Sequence, residues 1–80
     1  MIFPNPFSQN ATIKISPPGN KISNGLNHLR IYDLPGRFLR EYISEKSEFK
    51  IERGDLNSGI YFYSVSQGNQ EIGKGKFVIQ

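Results

Sequence analysis

Asp55-Leu56-Asn57-Ser58-Gly59-Ile60-Tyr61-Phe62-Tyr63-Ser64-Val65 is the stretch whose reading decides the fold. It sets three of the ten aromatic side chains (six Phe plus four Tyr) in consecutive positions behind a glycine. Read as a strand from Ile60, it alternates: Tyr61, Tyr63 and Val65 on one face, Ile60, Phe62 and Ser64 on the other. A ligand platform, a stacking surface for nucleic acid and the middle strand of a β-sandwich all compete for this pattern. Single-strand nucleic-acid binders place their aromatics beside a basic groove, and no Lys or Arg occurs from Asp55 to Asn69. The core-strand reading therefore leads. It turns Tyr61, Tyr63 and Val65 inward, with the tyrosine hydroxyls reaching the rim for a hydrogen bond. Both faces are bulky, so the reverse assignment is the alternative.

Outward from this stretch the same period of two recurs. Ala11-Thr12-Ile13-Lys14-Ile15-Ser16 alternates until Pro17-Pro18-Gly19-Asn20 stops it, because proline cannot donate to a ladder. Asn20 to Gly25 is read as a loop. Leu26 to Asp33 forms the next strand, with Leu29 and Ile31 sharing a face with Asn27 and Asp33. Leu34-Pro35-Gly36-Arg37 reads as a type II turn, with Gly36 at the positive-φ position, and Phe38 to Ile43 returns as its hairpin partner. Phe49 and Ile51 mark a further strand whose Glu48, Lys50 and Glu52 face water. Gly68-Asn69 suits a two-residue hairpin loop, and Gln70 to Ile79 is a long last strand. Gly and Pro recur at short intervals, and no uninterrupted window shows a 3.6-residue apolar stripe. Six or seven short strands with turns at about ten-residue spacing predict an all-β, antiparallel sandwich, with a small barrel as the alternative.

Eighty residues make one small domain, 1–80, with 36% hydrophobic and 21% charged residues, which predicts a folded chain. No apolar run approaches the roughly 20 residues of a membrane helix. The start, Met1-Ile2-Phe3-Pro4-Asn5-Pro6, lacks the pattern of a secretory leader, so the chain is expected to be a soluble piece of a larger protein. The net charge of +3 comes from ten dispersed cations: Lys14, Lys21, Arg30, Arg37, Arg40, Lys46, Lys50, Arg53, Lys74 and Lys76. They read as a mixed, solvated surface rather than a nucleic-acid footprint. With no cysteine, disulfides, thiolate catalysis and cysteine-zinc sites are excluded.

Catalysis needs convergent groups, and candidates are few. His28 is the only histidine, and it stands five residues before Asp33, so the two point to opposite faces of one strand. Asp33 and Asp55 would pair only if the fold brought them together; each reads first as a turn residue. Gly73-Lys74-Gly75-Lys76 lacks the spacing of a phosphate loop and precedes a strand, so its glycines read as a bulge or a close backbone approach. Asn10-Ala11-Thr12 is a glycosylation triplet too short to carry weight. No metal-ligand spacing is present.

Four patterns together carry a resemblance: Phe3-Pro4-Asn5-Pro6-Phe7, Ile31-Tyr32-Asp33-Leu34-Pro35-Gly36-Arg37, Leu56-Asn57-Ser58-Gly59-Ile60-Tyr61-Phe62-Tyr63 and Lys74-Gly75-Lys76-Phe77-Val78-Ile79-Gln80. In this order they resemble the C-terminal sorting domain of proteins exported by the type IX (Por) secretion system. The positions that match the family's motifs are Pro4, Asn5, Pro6, Asp33, Gly36, Arg37, Gly59 and Tyr61. Phe3 stands where relatives often carry tyrosine, and Gln80 where many end in lysine. The resemblance implies an immunoglobulin-like antiparallel β-sandwich of about seven short strands, with no enzyme activity and no cofactor. It implies a domain at the C-terminus of a precursor whose N-terminal cargo crosses the outer membrane of a Gram-negative bacterium. Its implied partners are the type IX translocon components and a surface sortase that removes the domain, with no nucleic acid and no membrane insertion. The implied destination is the cell surface or the extracellular medium.

Partner recognition is expected along the last strand, at Lys74, Lys76, Phe77, Val78, Ile79 and Gln80, because an edge strand offers backbone groups for strand addition. Pro4-Asn5-Pro6 reads first as ordering the domain entrance and second as a contact. Arg37 reads first as the partner of an acid after the turn and second as a rim contact. A different class of reading is an adhesion or carbohydrate-binding module; it would require Tyr32, Tyr42 and Phe62 to form one exposed, coplanar row.

Overall fold

A computed structural model describes residues 2–6, 8–15 and 26–80. Seven strands are present there: β1 Ile2–Phe3, β2 Asn10–Lys14, β3 Asn27–Asp33, β4 Phe38–Ser44, β5 Glu48–Glu52, β6 Gly59–Gln67 and β7 Gln70–Ile79. They form two antiparallel sheets, β1-β2-β5 and β4-β3-β6-β7. This is the expected immunoglobulin-like sandwich. Compared with the four-plus-three constant-type arrangement, the fourth strand has joined the opposite sheet. The strands inferred from alternation are all present; β1 is an addition, paired with β2 through Ile2 opposite Ile13 and Phe3 opposite Thr12. Two residues are too few to show a period. The proline-rich stop after Ile15, the loop to Gly25 and Phe7 lie outside the described residues.

The core is what the alternation implies. Ala11 and Ile13 of β2 and Phe49 and Ile51 of β5 face Leu29, Ile31, Tyr61, Tyr63, Val65, Phe77 and Ile79 of the larger sheet. Tyr61 and Tyr63 are buried while Ile60 and Phe62 are exposed, which settles the face of β6. Phe77 stacks on Tyr61 with ring centroids 5.6 Å apart and planes 18° apart. The one buried polar side chain among the described residues, Asn27, has both ends of its amide satisfied. Its Nδ2 donates to the Lys46 carbonyl at 2.7 Å, and its Oδ1 accepts from Gln67 Nε2 at 2.8 Å. An unsatisfied buried amide would cost more than these bonds return.

Two turns show how local chemistry sets register. Gln67 and Gln70 pair across Gly68-Asn69, as expected for a two-residue loop. The β3–β4 turn sits one residue earlier than the type II reading. Its bond closes from the Gly36 N–H to the Asp33 carbonyl at 2.9 Å, and Asp33 N–H reaches the Arg37 carbonyl at 3.0 Å. Gly36 keeps a positive φ of 98° but follows the turn rather than standing inside it. This is the three-residue hairpin loop with a glycine bulge, whose twist matches the strands it joins.

Arg40 and Arg53 are not the freely solvated charges that their dispersal suggests. From β4, Arg40 donates to the Glu52 carbonyl at 2.7 Å, the Arg53 carbonyl at 3.1 Å and the Asp55 carboxylate at 2.7 Å. It therefore joins the two sheets at one rim. Arg53 donates to the Leu56 carbonyl at 3.0 Å, Ser58 Oγ at 3.1 Å and the Gln80 main-chain oxygen at 2.7 Å. A planar guanidinium with five donors can gather carbonyls that end separate strands, and no spacing rule in the sequence announces it.

Candidate functional site

β7 is an edge strand of the larger sheet, paired on one side with β6. Its side chains alternate: Gly75, Phe77 and Ile79 lie inward, Lys74, Lys76 and Val78 outward. Phe77 and Ile79 are at most 1% exposed. Of the expected recognition residues, these two are core, whereas Lys74, Lys76, Val78 and Gln80 are exposed.

The far end of β7 is also occupied. The Val78 N–H donates to Asn5 Oδ1 at 3.0 Å, and Arg53 holds the Gln80 oxygen. Asn5 thus orders the entrance by fastening it to the last strand. The flanking Phe3-Pro4 and Asn5-Pro6 peptide bonds are cis. At the other end, a register shift in the β6–β7 ladder leaves Ile72 unpaired between Glu71 and Gly73. Because the Val78 N–H points away from β6, alternation points the backbone groups of Lys76 and Lys74 the same way. Among the described residues the uncovered edge is therefore short, from Lys74 to Lys76, bounded by a bulge and a cap.

The expectation of a bulge or a close backbone approach is met in part: the bulge falls on Ile72, beside Gly73, and Gly75 is closely approached by a side chain rather than by backbone. A Cβ on Gly75 would stand 2.8–2.9 Å from Oη, Cε2 and Cζ of Tyr63, its cross-strand neighbour. The Tyr63 ring covers the bare glycine and opens onto a surface groove with Phe62, Lys74, Gly75 and Lys76. The Tyr61 hydroxyl donates to the Asn57 carbonyl at 2.6 Å. The Tyr63 hydroxyl has no hydrogen bond among the described residues, and burial pushes its pKa up.

The outward face of the larger sheet reassembles residues distant in sequence. Phe38, Tyr32, Phe62 and Lys76 form one row across four strands, and Arg30, Ser64 and Lys74 form the next. The absence of cations around β6 is thus a property of the segment and not of the sheet. Tyr42 lies on the opposite face from Tyr32 and Phe62, so the trio required of a carbohydrate platform does not form. The nearest substitute pair, Tyr32 and Phe38, is tilted by 66° rather than coplanar.

No catalytic constellation forms from the candidates. Ser66 stands opposite His28 in the β3–β6 ladder, and Glu41 Oε2 lies 3.4 Å from His28 Nδ1. No hydrogen bond joins Ser66 to His28 among the described residues, and Arg30 already binds Glu41 at 2.9 Å. Asp33 and Asp55 line one groove, yet each carboxylate is held by its own arginine, Arg37 and Arg40. Arg37 Nε and its backbone N–H both donate to Asp33 at 2.7 Å, while the rest of the guanidinium projects into solvent. Partial burial works to raise the Asp33 pKa; the Arg37 hydrogen bonds and charge and the Gly36 amide outweigh it and hold the carboxyl below its usual value. Gly36 and Gly59 both have positive φ, 98° and 153°, so these motif positions serve backbone geometry. Among the described residues no cluster of side chains could hold a metal ion.

A search of the curated proteins finds no match. The family model described as the secretion system C-terminal sorting domain matches residues 1–80, the whole chain.

Proposed function

We propose, from the premise that this chain belongs to the secretion system C-terminal sorting domain family, that it is the label by which an N-terminal cargo is passed through the type IX translocon. The family assignment carries a sorting role in type IX secretion and places export toward the cell surface or the extracellular space. The finer reading is that the translocon engages the folded sandwich, the cargo crosses ahead of it, and a surface sortase then removes the domain. The observation that carries it is the whole-chain family match. The fold agrees: the described core closes within the domain, so the label can fold whatever cargo it follows. Lys74, Lys76 and Val78 on the last strand and Gln80 just after it, with Arg37 on the β3–β4 rim, are the proposed contacts.

The test is a fusion of these eighty residues to the C-terminus of a fluorescent protein in a cell competent for type IX secretion. Fluorescence at the surface or in the medium is expected. Retention of an intact, folded fusion in the periplasm would overturn the proposal. Loss of the domain's mass from the exported product reports the sortase step, and export of an uncut fusion would refute that step alone.

A further inference from the structure

The short edge of β7 that no described residue covers has a definite chemistry. It presents the outward backbone groups of Lys74 and Lys76, two lysines whose ammonium groups meet no carboxylate among the described residues, and the unpartnered Tyr63 hydroxyl over Gly75. We propose that this edge docks an extended acidic peptide strand, which adds to the larger sheet at Lys74–Lys76. The inference rests on the sorting reading only for the origin of the strand, as part of the export apparatus.

Strand addition satisfies edge backbone groups, and side-chain pockets give it specificity. Two residues of the incoming strand, spaced i and i+2, pair with Lys74 and Lys76 and set carboxylates beside their ammonium groups. The residue between them lies over Gly75 on the inner face, where a hydroxyl or amide side chain meets Tyr63 Oη. Lysines and bulges are also the devices that blunt an edge against self-pairing. Here both effects act together. A second copy of β7, or any basic strand, brings lysine against lysine; an acidic strand turns the same charges into attraction. Asn5 and the Ile72 bulge hold the docked register to one place.

The experiment uses this chain with 15N labelling and the peptide acetyl-Val-Thr-Glu-Thr-Glu-Thr-Val-amide. Amide shifts and hydrogen exchange are followed on titration. The expected result is slowed exchange at the Lys74 and Lys76 amides, with affinity falling as salt rises. N-methylation of the two glutamates removes the donors facing β7 and should weaken binding about tenfold or more. The variant K74E/K76E, which alters only exposed side chains, should lose this peptide and gain its lysine counterpart. Absence of binding at millimolar peptide, equal binding of the N-methylated peptide, or shifts confined to Arg30, Tyr32 and Phe62 on the sheet face would each overturn the proposal. Export of the fluorescent fusion is read independently, so failure here leaves the sorting reading standing, and failure there does not imitate failure here.

Discussion

Gly75 gives the sharpest test of the packing, because alanine there should change sign with its neighbour. In the native chain an added methyl would lie within 2.9 Å of the Tyr63 ring and hydroxyl. That ring is held between β6, β7 and Phe77, whose centroid is 6.3 Å away. Overpacking of this kind costs about 1–3 kcal/mol. Alanine recovers about 0.5–1 kcal/mol, because glycine loses more backbone freedom in a strand. The net expectation for Gly75→Ala is a loss of up to about 2.5 kcal/mol, a fall in Tm of up to about 20 °C for a domain of this size. Tyr63→Leu removes the three atoms that meet the methyl. In that background Gly75→Ala should be neutral or stabilising by about 0.5–1 kcal/mol. Urea denaturation of the native chain, the two single variants and the double variant measures the coupling, expected at about 1–3 kcal/mol. If Gly75→Ala costs the same with and without the tyrosine ring, the ring does not cover the glycine and the described packing at the β7 edge is wrong.

Arg53→Met should cost about 1–3 kcal/mol, because it leaves several carbonyls without their charged donor; accelerated exchange near Ile79 would accompany it, and an unchanged denaturation midpoint would contradict the tether. Asn5→Ala should lose about 0.5–1.5 kcal/mol and expose the Val78 amide to exchange, with the rest of β7 unaffected. Asp33 has its folded pKa depressed, so its stabilising contribution is complete above the unfolded value of about 3.9 and disappears as pH falls through the lower folded value. Asp33→Asn should therefore flatten the stability curve on the acid side of pH 4, and an identical acid limb in the variant would refute the assignment. In the export assay, K74E/K76E is expected to reduce delivery of a fusion that still folds, whereas normal delivery would remove these lysines from the recognition surface.

Much of the sandwich was legible because burial in a two-sheet fold repeats every second residue. Tyr61, Tyr63 and Val65 against Ile60, Phe62 and Ser64 is a local pattern, and so are Leu29 with Ile31 and Phe49 with Ile51. The glycines of β7 were legible for the same reason: a strand interior has few uses for glycine besides a bulge and a close approach. The β3–β4 turn shows the limit of local reading. Pro35-Gly36 permits more than one loop of similar composition, and the Asp33–Arg37 pairing across the hairpin accompanies the one adopted.

The amino-acid sequence by itself determined the antiparallel sandwich, the alternation along the long strands and the family resemblance, since these follow from periodicity and from short motifs contiguous in the chain; burial in the fold chose which face of β6 is inward. Only the tertiary structure decided which parts of the last strand a partner can reach. Phe77 and Ile79 turn into the core, Asn5 closes Val78 from 73 residues away, and Arg53 fastens Gln80. The cations absent around β6 return on the neighbouring strands as Lys74, Lys76 and Arg30. Edges, caps and charge neighbours are made by strand order, and strand order depends on contacts between residues far apart in the chain, on which a local alternation carries no information.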